Sequence, residues 1–319
     1  MTPTRPPTTP HDYRVVCEHE PAPTVVGGQA VNLWAINYLA AQVPKSTLVS
    51  KDLDIVVSQD GLARLKRVPG WVFEPNKLKN WTDSRLGFLR STSPDGRPLM
   101  VEVLHSVHGL DKADLEAAAY IKSEGGVYRV LDPVAMLKAK TMNVRDIEQD
   151  GPSPRQDRLH LHLIVRCVPE FLRDVHQSAV ADPTKEKQAL EVFSRAFRTL
   201  QNKKIATTLI AEGIAPRSLL PPEFSESSLE RIQKAYRWQM KMVPEVTQQN
   251  RPLGDTASSV AVRPAEGRGP KISMELRVRR RDSPTASRAP APSAWCECAT
   301  SPPGHRTAQS GRPCDKEFA

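Results

Sequence analysis

The sequence predicts an α/β (α+β) protein: a small mixed sheet first, a helical half after it, and a disordered tail. Three observations predict this. Up to about residue 131, short β-branched runs alternate with segments of helical period. From 133 to about 242 nearly all apolar residues recur at helical spacing. Beyond about 250, proline and arginine displace the apolar residues.

The elements follow in order. Residues 1–19 open on a proline-rich stretch and are expected to be a flexible N-terminus. The apolar run Thr24–Val26 ends in the pair Gly27 and Gly28, and 29–41 then carry apolar residues at helical spacing, giving strand, glycine turn and helix. Residues 46–58 are rich in β-branched side chains and alternate, which predicts a strand; Asp60 and Gly61 open a short amphipathic segment ending near Val68. Strands are expected at 85–91 and 98–107 around a turn at Pro94, Asp95 and Gly96, then a helix over 112–123 closed by Gly125 and Gly126, and a short strand at 127–131. Helices are expected at 133–144, 156–176, 185–201, 203–212 and 225–242, punctuated by Pro169, Pro183 and Pro216. This divides the chain into an α/β core at 20–130, a helical domain at 131–245 and a basic tail at 246–319.

The tail holds much of the net charge of +9: residues 251–319 carry 12 Lys/Arg against 7 Asp/Glu. Its nine prolines and only four Leu, Ile or Phe residues leave too little apolar surface to offset the entropy of ordering it. The basic run from Arg277 to Arg281 is read as solvated charge. No apolar stretch is long enough to span a bilayer and no leader is legible, so the expected partners exclude a membrane and the expected location is cytoplasmic. Five cysteines, at 17, 167, 296, 298 and 314, are odd in number and scattered, which fits a reducing compartment without disulfides. Neither a P-loop nor a Rossmann glycine fingerprint is present.

The residues that carry chemistry are acidic. Asp52 and Asp54, two apart on a strand, project to one face while Leu53 and Ile55 point to the other. Two such carboxylates repel, and a hard divalent cation between them resolves the conflict. Upstream, Gly27 and Gly28 lie where a helix begins, and bare backbone amides there can cradle a phosphate. Glu102 shares a strand face with Met100 and Leu104, and placing that strand beside the Asp pair lines one cleft with three acids, as phosphoryl or nucleotidyl transfer requires.

This order of motifs, Val26-Gly27-Gly28-Gln29-Ala30, a helix, then Ser50-Lys51-Asp52-Leu53-Asp54, resembles the polymerase-β-type nucleotidyltransferase superfamily, and within it the AbiEii-like abortive-infection toxin branch. Lys138 and Arg145 match that branch's lysine, six residues, arginine, and Asp157 stands where its later aspartate falls. The resemblance covers about 20–175. It implies Mg2+ or Mn2+ on Asp52, Asp54 and Glu102, and a nucleoside triphosphate held by Gly27, Gly28, Ser50 and Lys138. Asp157 would orient that lysine or the acceptor. The implied catalytic set is Asp52, Asp54, Glu102, Lys138 and Asp157. The implied reaction moves a nucleoside monophosphate to a hydroxyl on RNA, protein or a small molecule, in a toxin-like setting with an antitoxin-like protein partner.

Several features compete. Lys140 rivals Lys138, since helical register is uncertain by a residue or two, and Gly151 to Pro154 interrupts the path from Arg145 to Asp157. His160 and His162, two apart on a helix, face away from each other and do not make a zinc site, although His160 lies one turn from Asp157. Cys296, Cys298, His305 and Cys314 are too irregularly spaced for one. Trp34 with Tyr38 and Phe193 with Phe197 read as core, and Cys17 and Cys167 as buried thiols. A catalytically silent nucleotidyltransferase-like module that binds a nucleotide or a partner is the alternative function; an RNA tether acting through the basic tail is a third.

Overall fold

The computed structural model describes residues 8, 10–44, 48, 50, 52–77, 84–123, 126–150 and 155–245. The expectations for the tail, including Cys296, Cys298, His305 and Cys314, lie outside the described residues, as does Lys51. All described residues belong to one compact unit.

Seven strands form one mixed sheet: β1 (Thr24–Val26), β2 (Leu53–Val56), β3 (Val72–Pro75), β4 (Arg85–Thr92), β5 (Pro98–Leu104), β6 (Ala118–Ser123) and β7 (Gly126–Leu131), in the order β3-β4-β5-β2-β1-β7-β6. Pairs β1/β2, β3/β4, β4/β5 and β6/β7 run antiparallel, while β2/β5 and β1/β7 run parallel. The short central strand β1 is buried along its whole length, which is why Thr24, Val25 and Val26 need no alternation. In β2 the apolar residues Leu53 and Ile55 are buried while Asp54 and Val56 are half-buried, the expected period of two.

The helices are α1 (Arg14–Cys17), α2 (Gly27–Leu39), α3 (Gln59–Leu65), α4 (Lys112–Glu116), α5 (Pro133–Asp146), α6 (Asp157–Ala181), α7 (Glu186–Gln201), α8 (Lys203–Ala211) and α9 (Glu230–Gln239). Four start on side-chain caps. Ser58 caps α3, Asp111 and Asp114 form a capping box on α4, Asn202 caps α8, and Asp132 caps α5 just before Pro133. Asp132 also accepts from the Arg195 guanidinium, tying α7 to the start of α5. The core joining sheet and helices centres on Trp34, whose indole N–H donates to the Leu131 carbonyl at 2.8 Å. Its ring stacks on Tyr38 and meets Phe171 edge-on at 5.5 Å, pairings worth about 0.5–1.5 kcal/mol each beyond burial. Tyr38 donates to Asp174 at 3.0 Å, so α2 and α6 are joined along their length. Phe193 and Phe197 pack edge-on against Phe224 and Tyr236, and Cys17 and Cys167 are buried free thiols. Among the described residues no helix is long and apolar enough to cross a membrane.

Four expectations need correction. The helix expected over 112–123 stops at Glu116, and 118–123 is strand β6, because its backbone pairs with β7 from Ala118 opposite Leu131 to Ser123 opposite Gly126. Sheet pairing overrides the helical preference of Ala118 and Ala119. Strand β3 was not expected; pairing with β4 makes it one. The helix expected over 225–242 is regular only at Glu230–Gln239, flanked by 3-10 turns at Pro222–Glu226 and Met240–Met242. The described part of 1–19 is not a loose end: Tyr13, Val16 and Cys17 are buried, and Thr8 bridges to Ser50.

Candidate active site

Three elements converge at one end of β2. Val26, the last residue of β1, lies opposite Asp54 on β2, and Asp54 lies beside Glu102 on the parallel strand β5. Residues paired across strands share a face, so the glycine turn, Asp54 and Glu102 follow one another across the sheet. Asp52 precedes β2 and is half-buried.

Gly27 has φ +67°, the left-handed region that only glycine enters at no steric cost, and a Cβ there would overlap Oδ2 of Asp54. Helix α2 starts at this glycine with no side-chain cap and no acidic residue in its first turn, leaving its first amides for another acceptor. A Cβ on Gly28 would stand 3.2 Å from Oγ of Ser50 and 3.0 Å from Cε1 of His160. Ser50 is pinned from behind: its carbonyl accepts from the Thr8 backbone amide and hydroxyl, both at 3.0 Å, while the Thr8 carbonyl accepts from the Gln29 side-chain Nε2. Gly27→Ala is therefore expected to cost at least about 1–2 kcal/mol from the backbone alone, with displacement of Asp54 added. Urea denaturation checks this, and wild-type stability of the variant would contradict the packing described.

The acids are mutually unfavourable. Burial first, then the charges of Asp52 and Glu102, push the Asp54 carboxyl up to about 7, while Lys140 and Arg155 pull the other way. Those two cations belong to a second cluster. Asp157, at the start of α6 and 3% exposed, accepts from Lys140 at 2.7 Å, Arg155 at 2.7 Å and Asn143 at 3.2 Å. The charge of Lys140, with the hydrogen bonds from Lys140, Arg155 and Asn143, overcomes desolvation and holds its carboxyl well below the usual carboxylate range. His160, one turn along, is 7% exposed; burial, then Lys140, lowers its imidazole to about 3, so it is neutral at physiological pH.

The structure thus brings together Gly27, Gly28, Ser50, Asp52, Asp54 and Glu102, and sets Asp157 close by through Lys140. It does not bring Lys138. That side chain contacts Asp114 at 2.5 Å and Asp111 at 3.5 Å, away from Asp157's donors. The lysine beside Asp157 is Lys140: two residues apart on a helix is about 200° of rotation, so Lys138 faces the capping box of α4 and Lys140 faces α6. Arg145, the other half of the lysine–arginine spacing, pairs with its neighbour Asp146. His160 turns its ring to Gly28. Arg155 and Asn143 were not singled out as site residues; Arg155, two residues before Asp157, was the legible signal.

Among the described residues no group of three or more His, Cys, Asp and Glu side chains forms a ready cage for a metal ion. Asp52 and Asp54 nonetheless suit Mg2+ or Mn2+: they are oxygen donors close together, and at Asp54 burial and the neighbouring acids outweigh the pull of Lys140 and Arg155. Mg2+ is commonly held by one or two carboxylates, completing its shell with water and substrate phosphate. A scan against family models and a search of curated proteins find no match.

Proposed function

We propose that the chain is a metal-dependent nucleotidyltransferase that moves a nucleoside monophosphate from a nucleoside triphosphate to an acceptor hydroxyl. The observation that carries the reading is the row across the sheet: open helix amides at Gly27 and Gly28, then Asp54, then Glu102. A divalent cation held by Asp52 and Asp54 would supply positive charge to the phosphates. The amides of Gly27 and Gly28 donate to the departing phosphate oxygens, and the Ser50 hydroxyl stands beside them. Lys140 brings its charge to the same place, and Asp157 orients it. Asp157 is ill suited as a proton acceptor, because its oxygens already accept from three donors. Glu102, on the far side of Asp54 from the glycines, is the carboxylate placed to take the acceptor proton. In the reaction the acceptor oxygen bonds to the α-phosphorus, the bond from that phosphorus to the pyrophosphate oxygen breaks, and pyrophosphate leaves.

The test is a survey of radiolabelled triphosphates with Mg2+ and a cell extract. Wild type is expected to label an acceptor, and Asp52→Asn to lose at least about 100-fold of that transfer, the scale of losing one electrostatic group at a reacting phosphate. Equal labelling by both proteins would exclude the site. Binding of triphosphate without transfer to any component would instead favour the silent module.

A further inference from the structure

We propose that Thr8 is a positioning residue of the nucleotide site, a clamp that holds Ser50 against the first turn of α2 and so fixes the phosphate side of the cleft. The inference rests on the nucleotidyltransferase reading and deepens it: Thr8 touches no substrate and acts through Ser50 and Gln29.

Ser50 precedes β2 by three residues and lies outside the ladders of the seven-stranded sheet. It is held instead by an isolated antiparallel bridge to Thr8. The Thr8 backbone N–H and the Thr8 hydroxyl both donate to the Ser50 carbonyl at 3.0 Å, and the Thr8 carbonyl accepts from Nε2 of Gln29 at 3.2 Å. Gln29 is 1% exposed and stands beside Gly28 in the first turn of α2. One residue therefore bridges the two halves of the phosphate site, the Ser50 hydroxyl and the open amides of α2. A threonine serving only its own turn would bond locally, whereas these bonds reach 42 and 21 residues along the chain.

Thr8 is held in its turn. Tyr13, fully buried, donates its hydroxyl to Oγ1 of Thr8 at 3.1 Å, so two O–H donors run in series toward the Ser50 carbonyl and each strengthens the next. The Tyr13 ring centre lies 6.2 Å from that of Trp71. Its neighbour Asp12 pairs at 3.1 Å with Arg97, the residue before β5, which carries Glu102. The clamp is thus anchored to the strand that brings the third acid. Thr8 itself is 2% exposed, out of reach of any ligand. Any slip of Ser50 passes to Asp52 two residues on, and misplacing a reacting group by about 1 Å costs on the order of 100-fold in rate.

The experiment uses the full chain with Thr8→Val, which removes the hydroxyl, Thr8→Ser, which keeps it, and Thr8→Pro, which removes both donors to Ser50. A fluorescent triphosphate analogue with Mg2+ is titrated into each at a temperature where circular dichroism finds it folded. Thr8→Val is expected to weaken binding about fivefold and Thr8→Pro at least about tenfold, with Thr8→Ser within about twofold of wild type. In the transfer assay the loss appears in KM for the triphosphate, whereas a partly unfolded sample loses kcat at unchanged KM. Wild-type affinity in Thr8→Val and Thr8→Pro overturns the proposal, and so does a loss in Thr8→Ser equal to that in Thr8→Val. If Thr8→Pro does not fold, Thr8→Val against Thr8→Ser decides by the same readouts. Hydrogen exchange of the ligand-free proteins is the second measurement: loss of the clamp is expected to speed exchange both around Ser50 and in the first turns of α2. Unchanged exchange at either element overturns the clamp. If wild type binds no triphosphate, the nucleotidyltransferase reading falls, while the exchange comparison still decides whether Thr8 ties the two elements together.

Discussion

Lys140→Met destabilises the protein by about 3–5 kcal/mol, whereas Lys138→Met costs less, about 1–2 kcal/mol; this is the expected pair of results from urea unfolding at neutral pH. The difference comes from burial. Lys140 and Asp157 are 7% and 3% exposed at the side chain and 2.7 Å apart, so removing the lysine leaves a buried carboxylate with Arg155 as its remaining cationic partner. Lys138 is 23% exposed and bridges Asp111, which is 66% exposed, and the buried Asp114, which keeps the Asp111 backbone N–H as a donor, so losing this lysine strands less uncompensated charge. Asp157→Asn in the Lys140→Met background removes the stranded charge and restores part of the loss. The sign with pH follows. A carboxyl held below its ordinary value when folded contributes stability above its unfolded value, near 4, and loses it as pH falls toward the folded one. The gap between wild type and Lys140→Met therefore narrows in acid. Equal costs for the two lysines would reverse their assignment.

Asp54→Asn acts in the opposite direction. Its carboxyl is raised to about 7 in the fold, so the folded state binds the extra proton between about pH 4 and 7, and the charged group opposes folding above that range. In metal-free buffer at pH 8 the variant is expected to be more stable than wild type by about 1–2 kcal/mol, allowing for solvent screening at a half-buried site, a gain of a few degrees in Tm. At pH 5 the advantage disappears. If the proposed site holds Mg2+, adding it is expected to raise the Tm of wild type by binding the folded state and to have little effect on the variant. A variant less stable than wild type at pH 8 without metal would show that the three acids are not in conflict. Stability lost to create a charged pocket and regained with a cation is the trade expected of a site selected for binding.

Much of this was legible. Asp52 and Asp54 could be brought together because alternation on a strand puts them on one face, although the strand expected over 46–58 is regular only at Leu53–Val56 with Asp52 just before it, and Gly27 could be placed at a turn because an apolar run stops there. The mixed α/β class, with a long helical second half, followed from periodicity in the same way. What escaped was decided by long-range partners. Nothing local in 112–123 marks the change after Glu116; Leu131 and its neighbours on β7 draw Ala118 to Ser123 into the sheet. Lys138 and Lys140 are indistinguishable in sequence, and the choice between them was made by where α4 and α6 pack around α5. Thr8 is a further case, a small polar residue in a proline-rich segment whose value lies in the distant Ser50 carbonyl it bonds.

Parallel neighbours cannot be joined by a tight turn, so the chain leaving β2 makes a long excursion before it returns as β5. Everything between, residues 57–97, is one contiguous insert that begins behind one acid-bearing strand and ends in front of the other, and it supplies α3, β3 and β4. The two acids that stand side by side, Asp54 and Glu102, are thereby contributed from either end of that stretch, while the strand bordering Glu102 on its other side comes from within it. Length or sequence can therefore change in α3 and its flanking turns without altering the pairing that sets the acids together.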